Sequence, residues 1–165
     1  MKRLRLYTAA VLLVFFTAVS FADTARIHNF PVYNVLSQRM TLFSILEKLP
    51  KNGSLVINFT SIHCEPCRKE VPELVELSRD QGNTAVLFIY AEYNKAEVRE
   101  YASALIKDDK IMPMVCTDLF GTIQKEFGVK SVPCTLVVDR QGRIRGRFEG
   151  YTPGNMEKIK HLTGE

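Results

Sequence analysis

From residue 55 onward the chain alternates between compact apolar runs and apolar positions at helical spacing. "LVINF" (Leu55 to Phe59) is short and rich in β-branched residues, which predicts a strand buried on both faces. Glu65 to Arg79 then carries Val71, Leu74, Val75 and Ser78 at helical spacing, and "QGN" (Gln81 to Asn83) ends that helix. "TAVLFIY" (Thr84 to Tyr90) predicts a second buried strand. Lys95 to Lys107 predicts a helix with Val98, Tyr101, Ala102 and Leu105 on one face and solvated charge on the other. "MPMVC" (Met112 to Cys116) reads as extended, and Leu119 to Phe127 as an amphipathic helix closed by Gly128. "TLVVD" (Thr135 to Asp139), the turn "RQG" and the alternating "RIRGRFEG" (Arg143 to Gly150) predict a hairpin, with Met156 to Leu162 as a final helix. Ahead of all this, Thr24 to Pro50 is mixed, with a short helical-period piece at Leu42, Ile45 and Leu46 before the turn "KNGS".

Strands alternating with helices, followed by a hairpin and a helix, predict one α/β domain with a mixed sheet covered on both faces. No internal repeat, low-complexity stretch or linker divides it. The N-terminus follows a different pattern. Met1 to Arg5 is basic, and Leu6 to Phe21 is apolar apart from Thr8, Thr17 and Ser20, with small residues Ser20 and Ala22 at the end. That is the order of a secretory signal peptide over residues 1–22, leaving residues 23–165 as the domain. The run is also close to a membrane span in length, so retention as an N-terminal anchor stays open. Either way the body is expected outside the cytosol, in a periplasm or on the outer face of the cytoplasmic membrane.

Charge changes meaning once the leader is set aside. Of the 22 basic residues, Lys2, Arg3 and Arg5 belong to the leader, so 19 face 18 acidic residues in the remainder. So even a balance gives no warrant for nucleic-acid binding.

Export would normally turn an even set of cysteines into structural staples. The four here, Cys64, Cys67, Cys116 and Cys134, sit in a domain large enough to fold without them. The first pair, in "HCEPCRKE" (His63 to Glu70), closes too short a loop to constrain much unfolded chain. Its position is more informative. A strand runs through a short loop into the helix that begins at this pair, so Cys64 sits where unpaired N–H groups and the helix dipole favour a thiolate. Pro66 suits a first helical turn, and Cys67 lies about one turn in, within reach for a disulfide. A zinc site would need two close ligand pairs, whereas Cys116 and Cys134 have 17 residues between them and no histidine at ligand spacing. No metal or other cofactor is expected.

"INFTSIHCEPCRKEVPEL" followed by "GVKSVPCTLVVDRQGRI" resembles the thioredoxin-fold proteins of the TlpA/ResA type, exported thiol–disulfide oxidoreductases linked to cytochrome c maturation. The resemblance covers about Asn29 to Leu162. It rests on C-E-P-C, on Pro72 eight residues after Cys64, and on "VP" before a strand. It implies a thioredoxin-like mixed sheet flanked by helices, with an αβ insertion of the TlpA/ResA kind that fits Lys95 to Cys116. It also implies a cis Val132–Pro133 peptide beside the dithiol, with the Val132 backbone offered to a substrate chain, and a helix kinked at Pro72. The implied partners are protein thiols or disulfides, apocytochrome c among them, and a membrane thiol donor, with the chain acting as a monomer.

This chain departs from the pattern at several places. Asn58 stands where thioredoxin has a buried aspartate, His63 where a tryptophan usually precedes the first cysteine, Thr60 at another usually aromatic position, and Cys134 where the family usually has threonine. Glu70 lies on the same helix face as Cys67. In the resembled family a glutamate in that place is buried near the thiols and moves protons, which implies a raised pKa. Glu65 sets a negative charge beside Cys64, with no fixed cation expected nearby, and so argues against a strongly oxidising dithiol. His63 and Cys134 are further candidate modulators, the latter because it adjoins the proline loop. Cys116 reads as a small buried hydrophobe. A Cys116–Cys134 disulfide is possible from the sequence, but the resemblance implies strands on opposite sides of the central one, too far apart for a bridge. The dithiol reads as a protein-disulfide reductase. A thiol oxidase of the same fold stays open, as does a redox-inactive binding module. A peroxiredoxin lacks support, because Ile57 and Ser61 occupy the places of its proline and threonine.

Overall fold

The computed structural model describes residues 25–92, 94–107 and 114–164. The leader at 1–22 and the first residues of the 112–116 segment lie outside them. Five strands form one mixed sheet. β1 (Pro31–Tyr33) and β2 (Arg39–Thr41) make a separate two-stranded ribbon, and the sheet is built from β3 (Ser54–Thr60), β4 (Thr84–Tyr90), β5 (Val115–Thr117), β6 (Cys134–Asp139) and β7 (Ile144–Glu149). Its order is β5-β4-β3-β6-β7, with β3, β4 and β5 parallel, β6 antiparallel to β3, and β7 antiparallel to β6.

The apolar runs fall on β3, β4 and β6 because both faces of those strands are covered. On one face, Val56, Val86, Phe88, Tyr90 and Val137 pack under α2 (Glu65–Asp80), α3 (Lys95–Ile106) and α5 (Pro153–Gly164). On the other, Leu55, Ile57, Phe59, Leu87 and Leu136 pack against α1 (Leu42–Lys48), the ribbon and the region of α4 (Thr122–Glu126). β7 lies at the edge and keeps the alternation that its sequence shows. The N-terminal segment then covers both rims. Arg26 bridges to Arg143 beside β7, and the Val35 N–H donates to the Val115 carbonyl on β5.

One expectation needs correcting. The helix expected over Leu119 to Phe127 is a single turn of five residues, and Leu119 and Phe120 stand in the preceding loop, Phe120 85% exposed. Gly121, at φ 62°, makes the turn into it, and Asp118 anchors the loop by accepting the Gln124 N–H. The ribbon of β1 and β2 was not anticipated, because three-residue strands carry too few positions to show a period. α2 runs unbroken from Glu65 to Asp80 with Pro72 inside it. Among the described residues no helix is long and apolar enough to cross a membrane.

Candidate active site

β3 delivers the chain to the C-terminal edge of the parallel strands, where α/β sheets present their sites. Residues 61–63 turn there, and Cys64 becomes the N-cap of α2, its sulfur accepting the Cys67 N–H at 3.2 Å. Cys64 and Cys67 form a disulfide with their Cα atoms 5.2 Å apart. Cys64 is half-buried and Cys67 is covered, with 1% of its surface exposed. A thiolate released at Cys64 would therefore inherit the N–H and the helix dipole, while Cys67 would have to ionise away from water.

The turn is held from β4. Glu92, just past the end of that strand, accepts the Ser61 hydroxyl at 2.6 Å and the Ile62 N–H at 3.0 Å through one oxygen. Its other oxygen is buried and has no partner among the described residues. The hydroxyl of Ser61 in turn accepts the His63 N–H, and the His63 side chain is exposed. Glu65 is exposed too, 3.8 Å from Lys69, and the Arg68 guanidinium donates to the Ile62 carbonyl. Helical spacing turns Arg68 back over the loop that leads to Cys64.

Beneath Cys67 lies Glu70, 1% exposed. One carboxylate oxygen accepts the Thr135 hydroxyl at 3.1 Å, and the other accepts the Asn58 amide at 3.1 Å. That amide also donates to Thr135 at 2.9 Å, closing a triangle between α2, β3 and β6. Burial pushes the Glu70 pKa up to about 7; the Thr135 and Asn58 hydrogen bonds work against this, and the charge of Glu73 adds to it. Asn58 cannot ionise, so the buried carboxylate is supplied from the helix and not from the strand.

Val132–Pro133 is cis, with Pro133 buried and its carbonyl taken by the Gly150 N–H at 2.8 Å. The next residue but one is Thr135, so the proline loop and the Glu70 triangle share a strand. Tyr151, following Gly150, donates its hydroxyl to Glu73 at 2.6 Å, which raises the phenol's pKa. Cys134 points the other way. It lies in the core beneath the sheet with Phe59, and burial raises its thiol pKa. Cys116 is in the same core, its thiol pushed up to about 12 by burial. Two strands stand between them, both are free thiols, and neither shares the dithiol's face of the sheet. The four cysteines therefore do not converge on one centre.

The sequence reading brought Cys64, Cys67, Glu70, Val132 and Pro133 to this edge, and missed Thr135 and Glu92. For Thr135 a signal existed, since a polar residue two places after Pro133 opens an apolar strand on the same face as Asn58. Glu92 gave none, because its role depends on which strands are neighbours.

The Redoxin family model matches residues 29–162. The chain belongs to the Redoxin family. Within it, the chain is 30% identical over 113 residues to the thioredoxin-like protein YneN of Bacillus subtilis, covering 66% of this chain and 64% of that one. It is 25% identical over 115 residues to the thiol-disulfide oxidoreductase ResA of Bacillus thuringiensis, covering 68% and 65%. The matches thus span just under two thirds of those two relatives. Among solved structures, a thiol:disulfide interchange protein of Chlorobium tepidum aligns with a TM-score of 0.69 at 18% identity, over 86% of this chain and 97% of that one. StoA of Bacillus subtilis aligns at 0.62 and 18%, over 82% and 96%. These likenesses establish the thioredoxin-like fold of the TlpA/ResA type.

Proposed function

We propose that this Redoxin-family chain is an exported protein-disulfide reductase. The observation that carries the proposal is the pairing of a half-exposed, N-capping Cys64 with a buried Cys67 above a buried carboxylate. In the reduced form, the Cys64 thiolate attacks a substrate disulfide. One substrate sulfur leaves as a thiolate and takes up a proton, and the other is joined to Cys64. Cys67 then gives its proton to the Glu70 carboxylate and attacks Cys64, forming the intramolecular disulfide and releasing the second substrate thiol. Two electrons pass from the dithiol to the substrate, and a thiol donor at the membrane restores the pair. Val132, ahead of the cis proline, offers backbone to an extended substrate chain. The resemblance to the TlpA/ResA type supports apocytochrome c as one substrate, and the leader supports a location in the periplasm or on the outer face of the cytoplasmic membrane.

A thiol oxidase is the second reading, favoured by the place of Cys64 at the N-terminus of α2, which would stabilise a thiolate and so the reduced form. The reduction potential of the Cys64–Cys67 couple separates the two. A value between about −200 and −280 mV supports the reductase, and one above about −150 mV makes the chain an oxidase.

A further inference from the structure

A carboxyl group that takes up a proton in each cycle must also release it, and Glu70 is 1% exposed, with the Thr135 hydroxyl and the Asn58 amide donating to its carboxylate. Beside it lies a run of buried oxygens without hydrogen-bond partners among the described residues: Asn58 Oδ1, Thr60 Oγ1, the Tyr90 hydroxyl and Glu92 Oε2. Asn58 and Thr60 alternate along β3 and so share the face on which Asn58 meets Glu70 of α2. Thr60 and Tyr90 are partners in register across the parallel β3–β4 ladder, whose strands lie about 4.8 Å apart. Glu92 follows Tyr90 by two residues and reaches back to the Ser61 hydroxyl and the Ile62 N–H at the end of β3. The run therefore leads from the Glu70 triangle to Glu92, which is half-buried.

Unpaired oxygens are expensive in these surroundings. Asn58, Thr60 and Tyr90 are each at most 1% exposed, and Tyr90 shares its apolar core with Ile62, Val71, Phe88 and Val98. A polar group there gives up its bonds to bulk water, and ordered internal water is the usual replacement. Successive positions on one face of a strand are about 6.7 Å apart, and one water joins oxygens about 5.5 Å apart, so one or two waters close each step. Thr60 puts a hydroxyl where the resembled family usually has an aromatic ring, which keeps the run polar at its midpoint. Burial raises the Tyr90 phenol's pKa, with Tyr101 and Glu92 adding to it, so the hydroxyl stays protonated and can both accept and donate. Tyr101 faces Tyr90 from α3, with ring centroids 6.4 Å apart, and Glu73, bonded to Tyr151, adds its charge to Glu70 along α2.

We propose that ordered water joins Asn58, Thr60, Tyr90 and Glu92 into a path along which Glu70 exchanges its proton with solvent. Asn58 Oδ1 anchors the first water by accepting from it, since an amide passes on no proton. The Glu70 proton moves to that water, each following water and hydroxyl hands on one proton, and the Glu92 carboxylate takes up the last. Glu92 then gives that proton to bulk water, which returns the path to its starting charge. No electrons move. Thr60, Tyr90 and Glu92 are thus positioning residues for the proton step. The inference rests on Cys67 giving its proton to Glu70 and is the same for either redox direction.

The test uses the oxidised chain, in which Cys64 and Cys67 carry no proton. After a pH jump through about 7, the infrared carboxylic-acid band of Glu70 reports how fast its proton exchanges, and loss of that band in Glu70→Gln assigns it. Tyr90→Phe and Thr60→Val each remove one oxygen and little volume. Singly or together they should slow the exchange several-fold while the band reaches its full amplitude. Thr60→Ser keeps the hydroxyl and should exchange like the wild type. Nuclear Overhauser contacts from water to the Thr60 methyl should show a long-lived internal water, lost in Tyr90→Phe. Equal exchange rates in the wild type and the double variant, no long-lived water at Thr60, or the same slowing in Thr60→Ser would each overturn the proposal. A wild type that shows the expected exchange but reduces no insulin sinks the reductase reading alone.

Discussion

At Glu70 a carboxylate exchanges water for two hydrogen bonds, from Asn58 and Thr135, and burial still outweighs them, leaving its pKa at about 7. That shift makes a stability prediction. A folded-state pKa above the unfolded value of 4.5 means that the folded protein holds the proton more tightly. The stabilisation is then fully present below pH 4.5 and lost as pH rises through 7. At 1.36 kcal/mol per pKa unit the loss is on the order of 3 kcal/mol. Urea unfolding of the oxidised protein should therefore show stability falling between about pH 4.5 and 7, and Glu70→Gln should flatten that slope. The same variant should lower the apparent pKa of Cys64 towards alkylation, because a thiolate no longer faces a carboxylate at higher pH. It should also slow insulin reduction, since Cys67 loses its proton acceptor. Overlaid curves in both assays would reduce Glu70 to a structural residue. The cysteine roles are tested separately. Iodoacetamide should label Cys64 first, Cys64→Ser should abolish insulin reduction, and Cys67→Ser should accumulate mixed disulfides. If Cys67 reacts first, the roles are reversed.

The elements were legible where one residue type filled them. β3, β4 and β6 are continuous apolar runs because both faces are buried, and α2 shows its stripe because only one face is. α4 was overextended for the opposite reason. Leu119 and Phe120 are apolar but stand in water, and periodicity carries no information about what covers a residue. The site was legible in its covalent part and not in its support, since Thr135 and Glu92 act through strand neighbours that local spacing does not reveal. Glu92 gives that support a test. Its single oxygen holds both the Ser61 hydroxyl and the Ile62 N–H, so Glu92→Ala should free the turn that sets the N-cap. The expected cost is about 1–3 kcal/mol, from a lost hydrogen-bond acceptor. Glu92→Gln keeps an acceptor and should recover most of it. Chemical denaturation together with the Cys64 alkylation rate reads both effects. If Ala and Gln behave alike, the carboxylate's charge and not its acceptor geometry orders the turn.

At the scale of the whole molecule, redox direction and folding are linked by a thermodynamic cycle. A dithiol that is oxidising when folded owes this to a stabilised reduced state, so such a protein is more stable reduced than oxidised. A reductase has the opposite order. Loop closure alone favours the oxidised form modestly, because a C-x-x-C ring removes on the order of 2 kcal/mol of unfolded-chain entropy. Reversing that order requires folded-state stabilisation of the Cys64 thiolate by more than this amount. The opposing groups are visible. The Cys67 N–H and the dipole of α2 favour the thiolate, while the buried Glu70 disfavours it once ionised. Below pH 7 Glu70 is neutral and the helix N-terminus has its best chance; above it, the carboxylate adds repulsion. Guanidinium unfolding of the oxidised and fully reduced chains, at about pH 6 and pH 8, therefore reads the balance without a redox partner. The reductase reading expects the oxidised chain to be the more stable at both, with the gap wider at pH 8. A reduced chain more stable at pH 6 would mean that the helix N-terminus wins, and the molecule would then be built to oxidise.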